Sequence, residues 1–106
     1  MSYSTSPTDI LTAVAGTMVA QQKYATVEEA LKELALSAVR SKTMAYRRRI
    51  RRLERKYSTD FDTFSAHLVG KATPAEEDDW LAWRSARRML ADWQQTYQEL
   101  RNDRVR

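Results

Sequence analysis

The run Thr26 to Tyr57, TVEEALKELALSAVRSKTMAYRRRIRRLERKY, decides the fold. It opens on Thr26-Val27-Glu28-Glu29, the Thr-x-x-Glu spacing of a capping box, in which two side chains satisfy two backbone N–H groups reciprocally. No Pro or Gly follows until Gly70. Val27, Leu31, Leu34 and Ala38 mark an apolar stripe in the first half. Leu36, Val39, Thr43, Tyr46, Ile50, Leu53 and Tyr57 continue in alternating steps of three and four. That is heptad spacing, which favours a partner helix lying alongside. One helix over 26–57 is therefore predicted, about 48 Å long at about 1.5 Å per residue. A chain of 106 residues is too small to pack such a helix all around.

Toward the C-terminus, Ser58-Thr59-Asp60 interrupts the pattern. Asp60 is the expected N-cap of a short corner helix over about 60–69, with Phe61, Phe64 and Leu68 at helical spacing and Gly70 as its stop. Phe61 and Phe64 are expected to fill the corner where the chain turns back. Thr73-Pro74-Ala75-Glu76 combines a second capping box with Pro at the first helical position, and predicts a last helix over about 74–100. Its acidic run, Glu76-Glu77-Asp78-Asp79, lies on the positive end of the helix dipole. Trp83, Ala86, Leu90, Trp93, Tyr97 and Leu100 then repeat at heptad steps, with Trp80 one turn earlier. The tail from Arg101 is polar and expected to fray.

Toward the N-terminus, Ser6-Pro7-Thr8-Asp9 supplies an N-cap, a Pro at the first position and an anion in the first turn of a helix over about 7–22. Ile10, Leu11, Val14 and Met18 fall on one face. Gly16 weakens this helix, so a short strand over Thr17 to Gln21 is the alternative. The predicted architecture is all-α. A long antiparallel, coiled-coil-like hairpin carries a short N-terminal helix and a short corner helix in one domain over residues 1–106.

Leu, Ile, Val and Phe supply only 19 of the 106 residues, below the level usual for a self-sufficient core. Three Trp, five Tyr and four Met partly make up the shortfall. A monomer of this composition would be marginal, which points to burial against a second chain as a dimer. The absence of cysteine removes disulfides, thiolate metal sites and thiol nucleophiles, and makes the cytoplasm the expected compartment. Met1 to Asp9 has no basic residue, and the apolar stretch Ala13 to Ala20 is interrupted by Gly16 and Thr17. Neither a secretory signal nor a membrane span is expected. With only two Gly and two Pro, a turn-rich β architecture is excluded.

Charge is distributed sharply. Nine basic residues and the single acid Glu54 lie between Arg40 and Lys56, whereas the remainder of the chain holds nine basic and thirteen acidic residues. At about 100° per residue, Tyr46, Ile50, Leu53 and Tyr57 cluster within about 60° of the helix circumference. Arg47, Arg48, Arg49, Arg51, Arg52, Arg55 and Lys56 cover the opposite arc. Such a helix can bury its stripe and still offer Arg forks to phosphates. The other readings of the same run are an acidic protein partner and plain solvation.

Glu76, Glu77, Asp78 and Asp79, next to Trp80, Trp83, Trp93 and Tyr97, form the candidate partner-binding set. Large aromatics dominate interface hot spots, although at heptad spacing they also serve as core. With the four carboxylates they suit a basic, partly apolar cleft such as that of an RNA-cutting enzyme. No catalytic or metal site is expected. His67 is the only histidine, and Asp60, Asp62 and His67 match no helical ligand spacing. The Glu76/Asp79 pair would need a second carboxylate pair on a facing helix to serve a metal-dependent nucleotide hydrolase, and there is no Gly-rich phosphate loop. No cofactor and no small-molecule substrate are implied.

The order of these features resembles a group of small bacterial antitoxins of type II toxin–antitoxin modules, the TumA-like antitoxins. Tyr24-Ala25-Thr26-Val27-Glu28-Glu29-Ala30-Leu31-Lys32 is similar to their helix start. Lys56-Tyr57 with Phe61 and Phe64 is similar to their aromatic corner, and Glu76-Glu77-Asp78-Asp79-Trp80-Leu81-Ala82-Trp83 to their closing segment. The likeness spans roughly residues 24–95. It implies a non-catalytic protein that neutralises a cognate toxin, commonly a ribonuclease, and binds its own operator DNA as a homodimer. The long helix is more arginine-rich than that pattern, which assigns DNA to Arg47–Lys56 and the toxin to the last helix. A ribbon-helix-helix antitoxin would need a strand before Thr26 and two short helices after it. A coiled-coil adaptor with no nucleic-acid role is the alternative outside this class.

Overall fold

A computed structural model describes residues 6–21 and 23–102. Four helices and no strand occur among them: α1 (Pro7–Ala20), α2 (Val27–Tyr57), α3 (Phe61–Leu68) and α4 (Pro74–Arg101). The strand alternative over 17–21 is thus overturned, because α1 runs unbroken through Gly16 to Ala20 with Gln21 as its C-cap. The predicted end at Gln22 lies outside the described residues. None of these helices is long and apolar enough to cross a membrane.

Each helix start is held by the side chain that the sequence places there. Ser6 Oγ accepts from the Asp9 amide at 3.1 Å, Thr26 Oγ1 from the Glu29 amide at 3.1 Å and Asp60 Oδ1 from the Thr63 amide at 2.7 Å. At α4 the capping box is complete. The Glu76 amide donates to Thr73 Oγ1 at 3.2 Å and the Thr73 amide donates to Glu76 Oε1 at 2.9 Å. At α2 it is only half formed, because the Glu29 carboxylate accepts from Ala25, one residue earlier than the reciprocal pattern requires. Helix α2 stops at Ser58, whose φ of 52° is left-handed, and its N–H donates to the Glu54 carbonyl. Gly70, at φ 75°, makes the second left-handed turn, where the missing side chain removes the steric penalty.

Helix α2 packs along α4. At one end Lys56 and Tyr57 meet Asp79, and farther along Arg40 and Thr43 line a groove with Gln94 and Tyr97. Helix α3 packs on α4, and α1 packs on the first part of α2. The interior is small: Ala15, Ala30, Val39, Phe64, Trp83 and Ala86 are the buried apolar residues. Most of its bulk is one aromatic cluster at the corner. Trp83 lies 5.4 Å from Phe64, 5.6 Å from Phe61 and 6.4 Å from Tyr57, while Tyr57 and Phe64 are 4.2 Å apart, centroid to centroid. Phe61 and Phe64 therefore fill the corner as expected.

The apolar face of helix α1 is left largely uncovered. The face of Ile10, Leu11 and Val14 is exposed, and the residue buried is Ala15. A small side chain lets α1 approach α2 closely and leaves the larger ones outside. The molecule is elongated, 59 × 39 × 24 Å, with a radius of gyration of 19.7 Å where a compact chain of this length has about 13 Å.

Candidate functional site

Three surfaces carry the residues singled out from the sequence. The first is the outer arc of α2. Arg47, Arg48, Arg49, Arg51, Arg52, Arg55 and Lys56 are all exposed. Two of them are committed locally. The Arg49 guanidinium lies 4.9 Å from the centre of the Tyr46 ring, and Lys56 Nζ makes a 2.6 Å ion pair with Asp79. The Arg55 Nε donates to the Arg51 carbonyl at 3.4 Å, which bends that fork along the helix. Among the described residues Arg47, Arg48, Arg51, Arg52 and Arg55 have no carboxylate partner. The acidic run on α4 thus neutralises only the end of the arc. The internal acidic partner considered for this arc is therefore confined to Lys56.

The second surface is the start of α4, where the four carboxylates separate into two pairs. Glu76 closes the capping box, and the bonds it accepts from Thr73 hold its carboxyl below the usual range. Asp79 accepts from the Lys56 ammonium and the Tyr57 hydroxyl, which in that order hold its carboxyl below the usual range. The same bonds raise Lys56 and Tyr57, since each is a donor only while protonated. Glu77 and Asp78 are exposed, with no ion-pair partner among the described residues.

The aromatic residues assigned to a partner do not form one face. Trp83 is 1% exposed and forms the centre of the corner cluster, so it cannot reach a partner and is reassigned to the interior. Its heptad position allowed both uses, and Phe61 and Phe64 folding over it decided between them. Trp80 is half-buried, stacked on Phe61 at 5.9 Å, with its indole N–H donating to Ser65 Oγ at 2.8 Å. Arg84 covers its ring at 5.1 Å. Trp93 and Tyr97 are half-buried and lie about 21 Å and about 27 Å farther along α4 than Asp79, the end of the acidic run, at about 1.5 Å per residue. They cannot act with Glu77 and Asp78 on one small epitope.

In their place the corner presents a patch that the sequence reading did not single out. Leu68, Val69, Ala72, Trp80 and Leu81 line a shallow depression, with Glu77 and Ser65 at its edge. Val69 is 80% exposed and Leu81 52% exposed. The available signal was Leu81 itself, an apolar residue off the heptad stripe of α4. Val69 was hidden by its place in the sequence, directly after an apolar helix turn. The left-handed turn at Gly70 follows it and leaves its side chain outside.

The residues weighed for metal binding are dispersed. Asp60 caps α3, Asp62 lies 3.6 Å from the Arg87 guanidinium, and His67 is exposed. No group of three metal-ligating side chains converges among the described residues. No known protein family matches the chain, and no curated protein or solved structure is detectably similar to it.

Proposed function

We propose that this chain is a non-catalytic antitoxin of a type II toxin–antitoxin module, which neutralises a cognate ribonuclease toxin by protein–protein binding. The observation that carries this reading is the corner patch: Val69 and Leu81 stand out of the surface beside Glu77, with Asp78 adjacent. An exposed apolar group rimmed by uncompensated charge is the anatomy of a docking site, in which the apolar centre supplies affinity and the rim supplies steering. A ribonuclease is cationic where it holds phosphates, so free carboxylates beside apolar anchors complement it. Trp80, fixed by Ser65 and Phe61, keeps the floor of the patch rigid.

The rest of the molecule fits the same role. Lys56 beside Asp79 and Arg40 beside Tyr97 support an antiparallel hairpin of α2 and α4, with the patch at its closed end. The five arginines of α2 that lack a carboxylate partner among the described residues form a separate surface of opposite sign. It suits the phosphates of operator DNA, with affinity that is electrostatic rather than read from bases. A homodimer would present two such arcs. Neither role calls on a cofactor, a metal or a small-molecule substrate, and both belong in the cytoplasm.

The test is co-expression with the product of the adjoining reading frame, which the proposal requires to be a small basic protein toxic on its own. The wild-type chain should restore growth and co-purify with it. Val69→Asp with Leu81→Asp should lose both while keeping the far-UV circular dichroism of the helices. A harmless neighbour, or full rescue by the double variant, refutes the reading. A chain that ignores both toxin and DNA, and whose oligomer weakens with salt, is instead the coiled-coil adaptor.

A further inference from the structure

Where α2 packs along α4, a groove of about 560 Å³ opens between the two helices. Arg40, Met44 and Arg47 form its α2 wall, and Gln94, Tyr97 and Gln98 its α4 wall. Each set is spaced by three and four residues, so each is one helix face. The volume lies within the roughly 300–1,000 Å³ of small-ligand sites. Among the described residues no carboxylate lines this stretch.

We propose that this groove binds a mononucleotide. For a phosphate it offers two guanidinium groups. Arg47 has no carboxylate partner among the described residues, and Arg40 is fixed by Glu33 at 2.8 Å, which takes one of its nitrogens and leaves its other N–H donors. A fork already held in place loses less entropy on engaging a ligand. For a planar ring it offers two surfaces, Met44, 57% exposed on α2, and Tyr97, half-buried on α4. A thioether and a phenol both take the face of a ring favourably. Gln94 and Gln98, one turn apart and exposed, carry donors and acceptors together, which suits the edge of a nucleobase.

Charge along the groove sets the size of the ligand. At Gln94 it adjoins a second depression, lined also by Glu54, Asp60 and Asp62 against one cation, Arg87. At the other end Glu33 lies against Arg40. A polyanionic strand following the groove would meet carboxylates at both ends, whereas a mononucleotide occupies only the basic stretch between them. The inference rests on this groove alone and does not depend on the antitoxin reading.

Titration of the full chain with adenosine monophosphate, followed by NMR of isotope-labelled methionine methyls, tests it. Met44 lines the proposed site, and Met89 lines a separate groove beside Arg49, Arg52 and Lys56. The Met44 methyl should shift saturably, with a dissociation constant below about 1 mM, and the Met89 methyl should not. Adenosine and inorganic phosphate should each bind at least about tenfold more weakly. Gln94→Glu with Gln98→Glu places two carboxylates in the groove from exposed positions. That variant should keep its far-UV circular dichroism and bind adenosine monophosphate at least about tenfold more weakly. A Met44 methyl that stays still at millimolar nucleotide overturns the proposal, as do equal shifts of Met44 and Met89, which would mean unspecific screening of the arginines. Inorganic phosphate binding as tightly as the nucleotide, or a double variant of unchanged affinity, also overturns it. So does single-stranded oligoadenylate that moves Met44 with at least about tenfold higher affinity, which would make the groove a strand-binding surface.

Discussion

Replacing Trp83 by Ala should cost about 4 kcal/mol of folding stability. A buried Trp removes about 150–250 Å² from water, and at about 25 cal/mol per Å² that is worth about 4–6 kcal/mol. Residual burial in the unfolded chain trims this toward the lower figure, which agrees with the roughly 3–5 kcal/mol measured for aromatic-to-alanine changes in cores. Here the neighbours make collapse around the hole difficult: Phe61, Phe64 and Tyr57 come from three directions and are themselves held by α2 and α3. About 4 kcal/mol is nearly a thousandfold in the folding constant, a large share of what a chain with so small an interior can hold. Urea titration followed by far-UV circular dichroism measures it, with Val69→Ala as the control that should shift stability by less than about 0.5 kcal/mol. A loss below about 1 kcal/mol for Trp83→Ala would mean that the aromatic cluster does not hold the corner.

Other expectations follow from local geometry. Ser58→Gly should stabilise the chain by about 0.5–1 kcal/mol, because Ser58 holds a left-handed φ of 52° that glycine adopts without strain; a destabilised variant would refute that account of the stop after α2. Asp79 is depressed by Lys56 and Tyr57, so its contribution is present above the ordinary carboxylate range and is lost as pH falls through the lowered value. Asp79→Asn should therefore flatten the acid limb of stability measured by denaturation across pH. Tyr57 is raised, so its bond to Asp79 holds below the ordinary phenol range and is lost as pH rises through the elevated value; Tyr57→Phe should remove that alkaline loss. Replacing Arg47, Arg48, Arg51 and Arg52 by Gln should make the salt dependence of DNA binding shallower by up to about 0.9 per arginine on a log–log plot. An unchanged slope in fluorescence anisotropy would remove DNA from that face.

Helix positions were the most readable part of the sequence because their determinants are local. Thr73-Pro74-Ala75-Glu76 and Asp60 act within one turn, and the structure ends its helices within a residue or two of where those signals put them. The arginine arc was equally readable, since seven cations opposite a heptad stripe leave only one way to face. What failed depended on distance in the fold. Trp83 and Trp80 occupy neighbouring turns of one helix, and only the placement of α3 buries the first and leaves the second half open. The acidic run reads as one anionic patch, but Lys56 and Tyr57, more than twenty residues earlier, remove Asp79 from it. Ile10, Leu11 and Val14 have core periodicity with too little protein around them to cover them. The periodicity marks a face to be buried and does not say by which chain.

The aromatic cluster sits at one end of a 59 Å body, so cohesion is anchored at a single point and weakens away from it. Amide hydrogens near Phe64 and Trp83 should exchange through the rarest openings, and those of α1 through the most frequent. A protease would enter from the α1 end, where little holds the chain closed. Whatever covers that end would then govern how long each copy survives in a cell.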